Sequence, residues 1–116
     1  MADLLVDTDI FVDHLRGAAP LKVGRNRVFY SIVTRCELFS GRASQEEPVR
    51  QLLSALSELV IDRSVAESAG RIRRESGIPL PDAIIAASAI EFDMPVVTRN
   101  RRHFEGVRGL RVRAPS

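Results

Sequence analysis

Leu4-Leu5-Val6-Asp7-Thr8-Asp9 is a short apolar run that ends in an acid. Such a run reads as a buried strand, and the acid then stands at the strand's carboxyl end. In open parallel sheets ligands bind outside the carboxyl ends of the strands, where loops and helix N-termini converge. Asp9 adds a second carboxylate near the same edge. Buried or clustered carboxylates oppose one another's ionisation and persist where a cation compensates them.

The rest of the chain repeats the strand-then-helix pattern. Thr8 or Asp9 can cap a first helix carrying Ile10, Phe11 and Leu15 inward, which stops near Gly17. A basic, irregular connection over 17–27 leads to a second strand, Val28-Phe29-Tyr30. Ser31 caps a helix over 32–39, and Ser44-x-x-Glu47 reads as the capping box of another, with Val49, Leu52, Leu53 and Leu56 on its buried face. Leu59-Val60-Ile61-Asp62 is a third strand, followed by a helix capped by Ser64 that ends near Gly77. Pro79 and Pro81 make a rigid loop, after which Asp82 opens the most apolar helix of the chain, 83–90, which belongs in the centre of the fold. Val96-Val97-Thr98 is a fourth strand, Asn100 to Phe104 a helical turn, and Leu110-Arg111-Val112 a short last strand. This alternation predicts a three-layer α/β domain spanning 1–116, with a mainly parallel sheet of four to five strands.

Bulk properties narrow the function. With 116 residues and 45% hydrophobic content the chain is sized for one globular core. A net charge of +2 does not by itself announce a nucleic-acid binder. Of the 17 basic residues only Lys22 is lysine, which excludes enzymes needing a lysine late in the chain. The single cysteine, Cys36, excludes an intramolecular disulfide, and its apolar helical context predicts a buried thiol. His14 and His103 have no paired spacing for zinc and read as lone surface histidines. The opening run is too short for a secretion signal, and no segment approaches the ~20 apolar residues of a membrane span, so a cytoplasmic protein without membrane contact is expected.

A few acids sit in unusual company. Asp7 reads equally as a helix cap and as a functional group. Glu37 lies about two turns into the helix that Ser31 caps, although Thr34-x-x-Glu37 also fits a capping box. Asp82, at a helix start, is favoured there by the dipole alone, and Asn100 is a common cap residue. In a parallel sheet these positions can converge on one edge. Three carboxylates and an amide oxygen then make a hard-oxygen site suited to Mg²⁺ or Mn²⁺.

Over essentially the whole length, these motifs resemble the PIN-domain family, and specifically its VapC toxins. The resemblance is carried by Leu4-Leu5-Val6-Asp7-Thr8, Ser31-x-x-Thr34-x-x-Glu37-Leu38 with Gly41-Arg42, and Val97-Thr98-Arg99-Asn100 with Phe104. Its most distinctive part is Ile78-Pro79-Leu80-Pro81-Asp82-Ala83-x-Ile85-Ala86-Ala87-x-Ala89. The resemblance implies a metal-dependent endoribonuclease toxin that cleaves RNA through a water activated by Mg²⁺ or Mn²⁺. Asp7, Glu37 and Asp82 fall on the family's acidic positions. Asn100 stands at the fourth, often Asp in the family, so a neutral ligand replaces a charge there and Asp9 is the compensating candidate. Thr8, Ser31, Thr34 and Thr98 would support the acids by hydrogen bonding, and Arg99, Arg101 and Arg102 would grip RNA phosphates. The resemblance further implies a homodimer, held inactive by a VapB-type antitoxin in a heterotetramer or larger assembly, with DNA touched only through the antitoxin.

Two readings compete. A PIN-fold RNA-binding module with weak or no catalysis is conceivable because of Asn100. An Asp-x-Asp phosphatase, with Asp7 as nucleophile and Asp9 as acid/base, lacks its late lysine.

Overall fold

The opening apolar run becomes the central strand. In the computed structural model, which describes residues 1–115, β1 spans Asp3–Val6 and is hydrogen-bonded on both sides. The remaining strands are β2 (Arg27–Ser31), β3 (Ser57–Leu59), β4 (Val96–Val97) and β5 (Val112–Arg113). All four pairings are parallel, in the order β3-β2-β1-β4-β5. The helices are α1 (Thr8–Leu15), α2 (Ile32–Phe39), α3 (Glu46–Ser54), α4 (Arg63–Ser76) and α5 (Leu80–Glu91). Helices cover both faces, as the alternation predicts.

Side-chain alternation along β1 divides the interior in two. Leu5 is fully buried against α4 and α5, with Val65, Ala69, Ala83, Ile85, Ala86, Val96 and Phe104. Leu4 and Val6 face the other way, packing with Tyr30 of β2 and with Ile10, Phe11, Leu38, Val49 and Leu53 of the α1–α3 layer. Removing the side chain in Leu5→Ala is expected to cost about 2–5 kcal/mol, since it leaves a cavity between two rigid layers. Urea denaturation measures this, and a loss below about 1 kcal/mol would show the site collapsing to fill the gap.

Several local expectations change, each for a physical reason. Asp7 itself caps α1, accepting the Thr8 amide at 2.8 Å, so Thr8 and Asp9 lie inside the helix. Ser31 caps α2 as expected, accepting from Val33 N at 3.1 Å. The Ser44 capping box does not form. The chain enters α3 through a 3₁₀ turn over Ala43–Gln45, and Gln45 precedes the helix without a side-chain cap. β3 ends at Leu59 rather than Asp62. Its partner β2 turns into α2 after Ser31, which pairs with Leu59, so no backbone remains for Val60 and Ile61 to bond; both are exposed. Asp62, not Ser64, caps α4 through Val65 N at 2.9 Å. Cys36 is exposed, because α2 turns Thr34 and Leu38 inward instead. Glu58 satisfies the buried Tyr30 hydroxyl at 2.9 Å and pairs with Arg35 at 2.6 Å.

Topology positions the site. In an all-parallel sheet every strand's carboxyl end lies at one edge. α1 and α2 start there directly from β1 and β2. α5 runs back along the sheet to feed β4, so its N-terminus, with Asp82, lies at that same edge.

Candidate active site

Thr98, just past β4, is the hub of the edge. It is fully buried, and its Oγ1 donates to Asp7 Oδ2 at 2.8 Å. The same hydroxyl lies 3.2 Å from Asp9 Oδ2 and accepts the Asn100 amide at 3.0 Å. The Arg99 amide donates to Asp9 Oδ2 at 3.0 Å. The turn after β4 is thus stitched to the start of α1 across some 90 residues of chain.

Asp7 is buried, with 6% of its surface exposed, and among the described residues accepts hydrogen bonds only from the Thr8 amide and the Thr98 hydroxyl. Burial pushes its pKa up to about 6; the Thr98 hydrogen bond works against that, and the charges of Asp9 and Asp82 add to it. Asp82 is also raised, chiefly by burial, with His103 opposing and Asp9 reinforcing. These mutual effects place Asp7, Asp9 and Asp82 in one electrostatic cluster. Asp9 Oδ1 is buried and has no hydrogen-bond partner among the described residues, which is rare for a charged oxygen.

The other expected groups divide. Thr34, fully buried, and Thr8 share a hydrogen bond of 2.9 Å, and Thr8 Oγ1 donates to Glu37 Oε1 at 2.7 Å. Glu37 is therefore joined to the edge through Thr8, from an exposed position on α2. Ser31 is buried and occupied as the α2 cap. Asn100 is exposed and reaches the cluster through its backbone amide. Arg101 and Arg102 are exposed in the 3₁₀ turn Arg101–Phe104, while Arg99 pairs with Asp13. His103 is not a lone surface residue: its Nδ1 lies 3.5 Å from Asp82 Oδ2. That contact joins the start of α5 to the turn after β4, and no spacing rule reaches so far. Asp13 was legible only as the i+4 neighbour of Asp9 on one helix face. His14 accepts the Leu21 amide at 2.9 Å and organises the 17–27 connection.

The donor set fits a hard divalent cation. It is all oxygen, two of its acids resist ionisation without a counter-charge, and Asp9 Oδ1 lacks a partner. Among the described residues no three His, Cys, Asp or Glu side chains are already grouped closely enough to enclose an ion. Thr98, Thr8 and His103 instead occupy Asp7, Glu37 and Asp82.

Fold and site define an all-parallel α/β protein with an acidic strand-end cluster flanked by arginines. The PIN domain sequence model matches residues 4–110. Ribonuclease VapC19 of Mycobacterium tuberculosis is 34% identical over 113 residues, covering 86% of this chain and 90% of that protein. A toxin–antitoxin complex from Klebsiella pneumoniae contains a chain 30% identical, with a TM-score of 0.77 and coverage of 97% and 98%. DNA-bound VapBC from Salmonella typhimurium contains one 25% identical, with a TM-score of 0.83 and both chains fully covered. The chain belongs to the PIN-domain family and, within it, groups with the VapC proteins. No helix among the described residues is long and apolar enough to cross a membrane.

Proposed function

We propose that this chain is a VapC-type toxin: an endoribonuclease dependent on Mg²⁺ or Mn²⁺, acting as a single domain in the cytoplasm. The observation that carries the reading is the buried Asp7 carboxylate at the end of the central strand, set among Asp9 and Asp82, with no basic side chain bonded to it among the described residues. The names of the relatives support the activity. Asp7, Asp82 and Glu37 would hold the ion, with Asp9 in place of the charge that Asn100 lacks. The chemistry such an ion supplies is a lowered pKa for its water and compensation of charge on the attacked phosphate. The chain's own residues do the rest. Thr98 fixes the rotamer of Asp7, Thr8 steadies Glu37, and Arg99, Arg101 and Arg102 offer guanidinium groups to phosphates along the same edge.

The solved relatives, a toxin–antitoxin complex and a DNA-bound VapBC, also support a VapB-type antitoxin as partner; a toxin homodimer within a heterotetramer or larger assembly, with DNA contacted by the antitoxin, completes the proposal. Asn100, neutral and exposed, favours the second reading of an RNA-binding module with little catalysis. The two separate in one assay. Purified, antitoxin-free protein is expected to cut total RNA into discrete fragments with 5′-phosphate ends in Mg²⁺ or Mn²⁺, and to leave it intact in EDTA. RNA bound but uncut in every metal would establish the binding module instead.

A further inference from the structure

Asp9 and Asp13 lie one helical turn apart on α1, and both hold the same residue. Asp9 Oδ2 accepts the Arg99 backbone amide at 3.0 Å, and Asp13 Oδ2 pairs with Arg99 Nε at 3.0 Å. Arg99 is therefore tethered twice, by a hydrogen bond at its backbone and by an ion pair at its side chain, while 57% of its side chain remains exposed; Asp13 is the sheltered partner at 17%. Among the described residues its Nη1 and Nη2 have no hydrogen-bond partner, and an Nη1/Nη2 edge matches two phosphate oxygens. Its backbone is bonded to Asp9, so the residue is rooted at the acidic cluster.

We propose that Asp13 is a positioning residue that presents the Nη edge of Arg99 to an RNA phosphate next to the acids. This rests on the ribonuclease reading and deepens it. A long side chain free to rotate must be ordered when RNA binds, and prior clamping removes much of that cost. Electrostatics alone predicts the opposite sign, because an acid beside a phosphate-binding arginine should weaken RNA binding. Removal of Asp13 therefore distinguishes positioning from simple charge.

The test measures binding of fluorescein-labelled single-stranded RNA in EDTA, as a function of salt, for wild type, Arg99→Ala, Asp13→Ala, Asp13→Asn and Asp13→Ala/Arg99→Ala, with thermal midpoints alongside. Arg99→Ala is expected to bind roughly tenfold more weakly, the worth of one charge-assisted contact. Its salt slope should fall by about 0.7, the value of one phosphate on a single strand. Asp13→Ala should approach Arg99→Ala in both readouts despite removing a negative charge. Asp13→Asn, which keeps an oxygen for Nε, should recover part of the loss, and the double variant should be no worse than Arg99→Ala alone. Asp13→Ala binding as tightly as wild type or tighter, or losses that simply add in the double variant, would overturn the assignment. If wild type binds no RNA and cuts none in Mg²⁺ or Mn²⁺, the ribonuclease reading itself falls and takes the assignment with it.

Discussion

Asp7→Asn is expected to abolish metal-dependent RNA cleavage and, in the same protein, to raise the stability of the metal-free fold. The gain follows from linkage. Asp7 holds its proton more tightly when folded, up to about 6, than an aspartate does in an unfolded chain, about 3.9. Between those values the folded state binds more protons, so stability falls as pH rises from about 3.9 to about 6 and stays low above that. A neutral amide removes the penalty, worth on the order of 3 kcal/mol at neutral pH. The hydrogen bonds survive the change. Asn Oδ1 can accept the Thr8 amide, and Nδ2 can donate to Thr98, whose hydroxyl then turns to Asp9 Oδ2 at 3.2 Å. Thermal melts across pH, beside an RNA cleavage assay, measure both effects. A variant less stable than wild type at pH 7 would show Asp7 to be a structural acid.

Thr98→Val should do the reverse, losing activity and stability together. Valine keeps the shape and β-branching but removes the oxygen that Asp7, Asp9 and the Asn100 amide share. Each buried group left without a partner costs about 1–3 kcal/mol. The exposed Asn100 can turn its amide to water, so the stranded, charged Asp7 Oδ2 dominates and the loss should reach about 2–3 kcal/mol. Asp7 should also become harder to ionise, because the hydroxyl is the main influence lowering its pKa. Thr98→Ser, which restores the oxygen, should recover most of both. Urea denaturation and cleavage assays check the pair, and equal behaviour of Thr98→Val and wild type would remove Thr98 from the site.

What the sequence shows and what it hides follow from the range of the interactions. The strand Asp3–Val6, the Ser31 cap and the apolar body of the helix Leu80–Glu91 are specified by neighbours within a few residues and appear where the sequence places them, although that helix begins at Leu80, not at Asp82, because Pro81 is accommodated in its first turn, where no intrahelical N–H bond is needed. The end of β3 is set by where β2 turns away, a fact about another strand, so Val60 and Ile61 read as strand and are not. Competing caps are equally opaque: Asp62 and Ser64 are both good candidates, and the length of β3 chooses between them. At the site, dense motifs make Asp7, Glu37, Asp82 and Thr98 stand out as candidates in the sequence. Their relations do not. Asp9 proves as closely tied to the cluster as Asp7, and Asn100 takes part through its backbone. His103 at Asp82 and Asp13 at Arg99 join elements far apart in the chain.

The most direct test of a cation-holding acidic edge is the thermal midpoint of the wild-type protein at pH 7, titrated with Mn²⁺, against Asp7→Asn in parallel. An ion that binds only the folded state stabilises it by RT ln(1 + [Mn²⁺]/Kd), about 2.7 kcal/mol at a hundredfold excess over Kd. The expected result is a midpoint that climbs with Mn²⁺ in wild type, offsetting the cost of ionised Asp7, and stays nearly flat in the variant. A wild-type midpoint that ignores Mn²⁺, or one that rises equally in both proteins, would contradict the site.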